Sequence, residues 1–104
     1  MQSKMDDYNS VLDIIMVAKQ FIITGKVQKV GYRRFAQKKA KSLDIFGFAR
    51  NEANGDVTVV GQGSETALES FEEYLRKGPL LARVKMLKSS VINIDESCNE
   101  FLTQ

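Results

Sequence analysis

The chain has 104 residues, 15 Lys and Arg against 13 Asp and Glu, and 43% hydrophobic residues. That is one small domain with enough apolar matter for a packed core, and a net charge of +2 is too small to argue for nucleic acid on composition alone. The absence of His and the single Cys98 exclude Ser-His and Cys-His nucleophile pairs, histidine metal sites, an intrachain disulfide and multi-cysteine clusters. An enzyme made from this chain works with carboxylates, hydroxyls, amides, Arg, Lys or backbone groups.

The longest apolar run, Ile14 to Ala18, falls far short of the roughly 20 residues that span a bilayer. Asp6 and Asp7 near the start make a poor signal peptide. The expectation is a soluble cytoplasmic protein with no membrane partner. Residues 1–18 read as an extension, with Ser10 capping a short helix whose apolar stripe is Val11, Ile14, Ile15 and Ala18.

From Lys19 the pattern changes, and residues 19–104 read as the domain proper. Gln20 to Thr24 is β-rich and closes on Gly25. Lys26 to Gly31 reads as a loop. Tyr32, Ala36, Ala40 and Leu43 then line one face of a helix. Ile45 to Arg50 reads as a strand with Phe46 and Phe48 on one face, expected in the core, and Gly47 and Ala49 on the other. Asn54-Gly55 predicts a hairpin with a type I′ turn, and Val57 to Val60 returns. Gly61-Gln62-Gly63 reads as turn chemistry. Ser64 or Thr66 can cap a second helix carrying Leu68, Phe71 and Leu75, which Gly78-Pro79 ends. Arg83 to Lys88, Val91 to Ile94 and Phe101-Leu102 read as extended. The order βαββαβ with a further edge strand is an α+β fold. It is the ferredoxin-like split βαβ sandwich, an antiparallel sheet with both helices on one face.

The informative stretch is Gly25-Lys26-Val27-Gln28-Lys29-Val30-Gly31-Tyr32-Arg33, which joins a strand to a helix N-terminus. The first N–H groups of a helix lack internal partners, and the helix dipole favours negative charge there. Gly31 lets the backbone approach a ligand, and the Arg33 guanidinium suits phosphate oxygens. Together they make an anion cradle. Lys38, Lys39 and Lys41 read as a solvated face, as does Arg34, and Cys98 as an unactivated thiol.

This stretch, with Gly47-Phe48-Ala49-Arg50-Asn51, Asn54-Gly55-Asp56-Val57, Gly78-Pro79 and Ala82-Arg83-Val84 in order, resembles the acylphosphatase family. The resemblance implies a cofactor-free, metal-independent hydrolase that cleaves small acyl phosphates to carboxylate and inorganic phosphate. By position in the motif, Arg33 would bind the phosphoryl group, Asn51 would orient the attacking water, and the amides of Gln28, Lys29, Val30, Gly31, Tyr32 and Arg33 would form the cradle. The expectation is a monomer without a nucleic-acid partner.

Two positions depart from the family pattern: Lys29 and Asp44 stand where the family has Gly. A positive φ at Lys29 would store roughly a kcal/mol of strain, whereas mere close approach of the backbone would leave the side chain free to point outward. The rival readings are a catalytically impaired anion-binding module and an RNA-binding domain. A domain of a carbamoyl-phosphate-handling maturation factor is disfavoured by the lack of zinc-finger cysteines.

Overall fold

A computed structural model describes residues 15–104. The elements are β1 (Met16–Lys26), α1 (Tyr32–Ser42), β2 (Phe46–Asn51), β3 (Val57–Ser64), α2 (Glu65–Lys77), β4 (Arg83–Ile92) and β5 (Phe101–Thr103). They form one five-stranded sheet in the order β4-β1-β3-β2-β5. The four long strands pair antiparallel, and the short β5 joins β2 in parallel, the one departure from the expected antiparallel sheet.

The core follows from alternation. Phe21 and Ile23 of β1, Ala49 of β2 and Val57 and Val59 of β3 point to one face. There they meet Tyr32, Ala36 and Ala40 of α1 and Leu68, Phe71 and Leu75 of α2. Phe71 sits edge-on between Phe21 and Phe101. Among the described residues no helix is long and apolar enough to cross a membrane.

Several expectations are corrected. β1 begins at Met16, so Met16 to Ala18 are strand, paired with Ser64, Gly63 and Gln62, rather than the end of a helix. The start of the expected helix, residues 10–14, lies outside the described residues, as do residues 1–9, and Ile15 precedes the strand. Phe46 and Phe48 lie half-buried on the sheet face opposite the helices, because the register that buries Ala49 turns them outward. Gly61-Gln62-Gly63 is strand, not turn. A Cβ on Gly61 would sit 3.2 Å from Ile45, Leu68 and Phe71, so the missing side chain lets α2 pack close to β3.

The β2–β3 hairpin is present, but its turn is not type I′, because Asn54 does not take the positive φ that such a turn demands. Gly55 takes it instead (φ 98°), the Gly55 amide bonds the Glu52 carbonyl, and the Asn54 side chain accepts from the Asp56 amide at 3.0 Å. The Gly47-x-x-x-Asn51 spacing also has a geometric cause. Gly47 has φ 147° and a Cβ there would fall 1.9 Å from the Val60 carbonyl oxygen, so only Gly lets β2 lie against β3 and carry Asn51 to its end. Ser64, rather than Thr66, caps α2 by accepting from the Ala67 amide at 3.1 Å.

Candidate active site

The sheet order decides where the predicted residues meet. β1 and β2 are each antiparallel to β3, so they run the same way, and β5 runs parallel to β2. Their C-terminal ends therefore lie at one end of the sheet. The loop that follows β1, Asn51 at the end of β2 and Thr103 at the end of β5 come together there. A cavity of about 210 Å³ opens between them, lined by Val27, Lys29, Gly31, Tyr32, Arg33, Arg34, Asn51 and Thr103.

Each wall has a local cause. Gly31 is the N-cap of α1 with φ 78°. It offers no side-chain cap, and the first turn of the helix carries no acidic residue. The opening N–H groups of α1, at residues that line the cavity, thus have no carboxylate or hydroxyl from their own helix to satisfy them. Lys29 takes φ 61°, so this position does require the left-handed conformation. Asp44, the other departure from the family pattern, takes φ 55° just beyond α1, where it shapes the helix end and stays outside the cavity wall.

Arg33 is half-buried, and its Nη1 donates to the main-chain oxygen of Gln104 at 2.6 Å. That bond holds a flexible side chain in one place. Arg34, expected to be merely solvated, also lines the cavity. Val30 packs against the core and Gln28 turns away, so at these two positions only the main chain is available to an anion.

The Gln28 side chain has a different task, which the sequence reading missed. Its amide nitrogen donates to the carbonyls of Glu52 (2.8 Å) and Asp56 (2.9 Å). The cradle loop is thereby clamped to the hairpin whose first strand ends in Asn51. Tyr32 supplies a second anchor. It is 2% exposed, and its hydroxyl donates to the carbonyl of Leu75 in the last turn of α2, a helix end that would otherwise lack a partner. Burial pushes the Tyr32 hydroxyl well above the usual tyrosine range, so it stays a neutral donor.

The charge around the cavity is one-sided: Lys29, Arg33 and Arg34 line it and, among the described residues, no Asp or Glu does. Nearby Glu52 is held below the usual carboxylate range by hydrogen bonds, first from Thr58 and then from Arg50, whose Nε lies 3.0 Å away. Lys39, expected on a solvated face, instead sits over the rings of Tyr74 (4.3 Å) and Phe35 (5.7 Å), while Lys38 and Lys41 are exposed. Burial pushes the Cys98 thiol up, which agrees with an unactivated cysteine. Among the described residues no group of three His, Cys, Asp or Glu is placed to hold a metal ion.

A family model described as Acylphosphatase matches residues 19–103. The acylphosphatase of Thermus thermophilus is 49% identical over 67 residues, covering 64% of this chain and 76% of that one. The acylphosphatase of Helicobacter hepaticus is 40% identical over 87 residues, covering 79% and 91%. The solved structure of an acylphosphatase from Coxiella burnetii superposes with a TM-score of 0.82 at 28% identity, covering 86% of this chain and 93% of that one. With the match spanning both the cradle loop and the strand that ends in Asn51, the chain belongs to the acylphosphatase family of hydrolases.

Proposed function

We propose that this acylphosphatase hydrolyses the carboxyl–phosphate bond of small acyl phosphates in the cytoplasm as a metal-free monomer. The amides of residues 28–33 and the Arg33 guanidinium hold the phosphoryl group, and Asn51 positions the water. The observation that carries the reading is that Arg33, the uncapped start of α1 and Asn51 line one cavity, although they come from two different connections of the sheet.

The chemistry needs little more. Phosphoryl transfer passes through a loose transition state, so the protein chiefly positions the reactants and stabilises charge on the equatorial oxygens. Arg33 and the helix amides meet those oxygens. The Asn51 side-chain carbonyl accepts a hydrogen bond from the water and aims a lone pair at phosphorus. The water oxygen bonds to phosphorus as the phosphorus–acyl oxygen bond breaks. The acyl oxygen leaves as a carboxylate, whose low basicity removes any need for a general acid. The water proton passes to a phosphoryl oxygen, which leaves carboxylate and dihydrogen phosphate.

Lys29 bears on the rival of an impaired module. Its main chain already has the conformation that glycine would supply, so its amide points as a glycine amide would. The departure is then a cost in stability rather than a lost donor. The RNA-binding rival calls for exposed aromatics on the central strands. On their open faces β1 and β3 present Ala18, Gln20, Ile22, Thr58, Val60 and Gln62, none of them aromatic, and the aromatics that β2 puts on that face, Phe46 and Phe48, are half-buried, with Arg50 over the Phe48 ring.

The test is turnover of acetyl or benzoyl phosphate with a chelator present. Arg33→Ala is expected to lower kcat/KM by at least about a hundredfold and to weaken inhibition by inorganic phosphate. Asn51→Ala is expected to lower kcat while phosphate inhibition persists. Wild-type turnover by the Asn51 variant removes the water-positioning role, and an inactive wild type sinks the hydrolase reading.

A further inference from the structure

Two residues on the cavity wall occupy locally unfavourable positions. Lys29 holds an L-residue backbone at φ 61°. Arg34 lies in the first turn of α1, the helix end whose dipole disfavours a cation. Both side chains are exposed, and both line the same cavity as Arg33. The ion pairs among the described residues are Arg50–Glu52 and Arg76–Glu72, so neither Lys29 nor Arg34 is neutralised by a carboxylate there. Two cations at one site, neither paired with a carboxylate among the described residues, point to an anionic ligand.

The phosphoryl group does not require these two charges, since Arg33 and the main-chain amides of the cradle already face it. Lys29 and Arg34 are left for whatever lies beside the phosphoryl group, which in an acyl phosphate is the acyl group. Resting on the hydrolase reading above, we infer that the preferred substrates are acyl phosphates whose acyl chain carries its own negative charge, a second carboxylate or phosphate, held by Lys29 and Arg34. These two residues then determine specificity. The phosphoryl group and the leaving carboxylate are handled as before, and the distal anion only anchors the chain.

The experiment compares succinyl phosphate, which ends in a free carboxylate, with butyryl phosphate, the four-carbon counterpart whose acyl chain carries no charge. At low ionic strength the wild type favours succinyl phosphate in kcat/KM by about fivefold, the scale of two solvent-exposed ion pairs. The ratio falls toward unity in the double variant Lys29→Gln/Arg34→Gln, and added salt erodes it in the wild type. Glutamine keeps the β-carbon and hence the backbone strain at position 29, so the variant removes charge alone. A ratio that is the same in wild type and double variant overturns the inference. So does a loss that falls equally on both substrates, because the cations would then serve the phosphoryl group.

Binding of 4-phosphonobutyrate and butylphosphonate, followed by calorimetry, reads the same preference without turnover. If the wild type hydrolyses neither acyl phosphate, the hydrolase reading fails while the phosphonate pair still decides the inference. Equal affinity for the two phosphonates overturns it.

Discussion

Replacing Lys29 with Gly isolates the cost of the family departure. An L-residue in the left-handed region loses roughly 1–2 kcal/mol relative to the right-handed one. Glycine removes that loss but adds about 0.4–1 kcal/mol of conformational entropy to the unfolded chain. Lys29 is exposed, so the substitution gives up little buried surface. The net expectation is a gain of about 0.5–1 kcal/mol, which for a domain of this size raises Tm by roughly 2–8 °C. Asp44→Gly is the internal control. Its φ of 55° is nearly the same, but a short polar side chain tolerates this region better, so its gain should be smaller. Thermal unfolding followed by circular dichroism, at fixed pH and salt and without phosphate, measures both. A lower Tm for Lys29→Gly, or a larger gain for Asp44→Gly, refutes the strain argument. Turnover adds a second check. If the cradle amide is already correctly aimed, Lys29→Gly cannot raise kcat on a neutral acyl phosphate by the hundredfold or so that recovery of a lost donor would bring.

Tyr32→Phe removes the donor to the Leu75 carbonyl and should cost about 1–2 kcal/mol near neutral pH. It should also change the alkaline limb. The folded state holds the Tyr32 proton above its ordinary range, so the unfolded chain ionises first. Stability from this group is therefore constant below about pH 10 and falls as pH rises beyond it. Denaturant midpoints measured up to about pH 11 should decline less steeply in the variant, and equal slopes would show that Tyr32 does not titrate as argued. Gln28→Ala unclamps the cradle loop from the Glu52 and Asp56 carbonyls. It should lower kcat by about tenfold by letting the bound phosphoryl group drift from Asn51, and wild-type turnover would show that the clamp is dispensable.

How much of this was legible depended on whether a residue's task is local. The helix stripes Tyr32-Ala36-Ala40 and Leu68-Phe71-Leu75 repeat at the helical period, and both helices formed on them. The hairpin was readable from Asn54-Gly55, but its turn type was not, because an Asn side chain that bonds Asp56 competes with the conformation a type I′ turn requires. Phe46 and Phe48 face away from the expected core for a related reason. Alternation tells which residues share a face, whereas only the neighbouring strands decide which face is covered. The small Gly47 and Ala49 face inward because β2 lies close to β3 and beneath α1. The same crowding turned Gly61-Gln62-Gly63 from an apparent turn into a strand.

The site shows the same division. A helix start with Gly and no capping side chain is a local feature, and it marks the loop that lines the cavity. That Asn51 stands across from it depends on β1 and β2 both pairing with β3, so that two strands remote in sequence finish at the same end of the sheet. The Gln28 clamp depends on the same topology. Its two acceptors are main-chain carbonyls, which every residue owns, so no residue type at positions 52 or 56 could have announced them. The Arg33 contact with the Gln104 main chain is likewise silent in sequence and exists because β5 returns beside β2. The motif names the groups, and the pairing order of the sheet brings them to one cavity. A substitution that shifted the register of β2 against β3 by one residue would leave every motif residue in place and still turn Asn51 to the opposite face of the sheet.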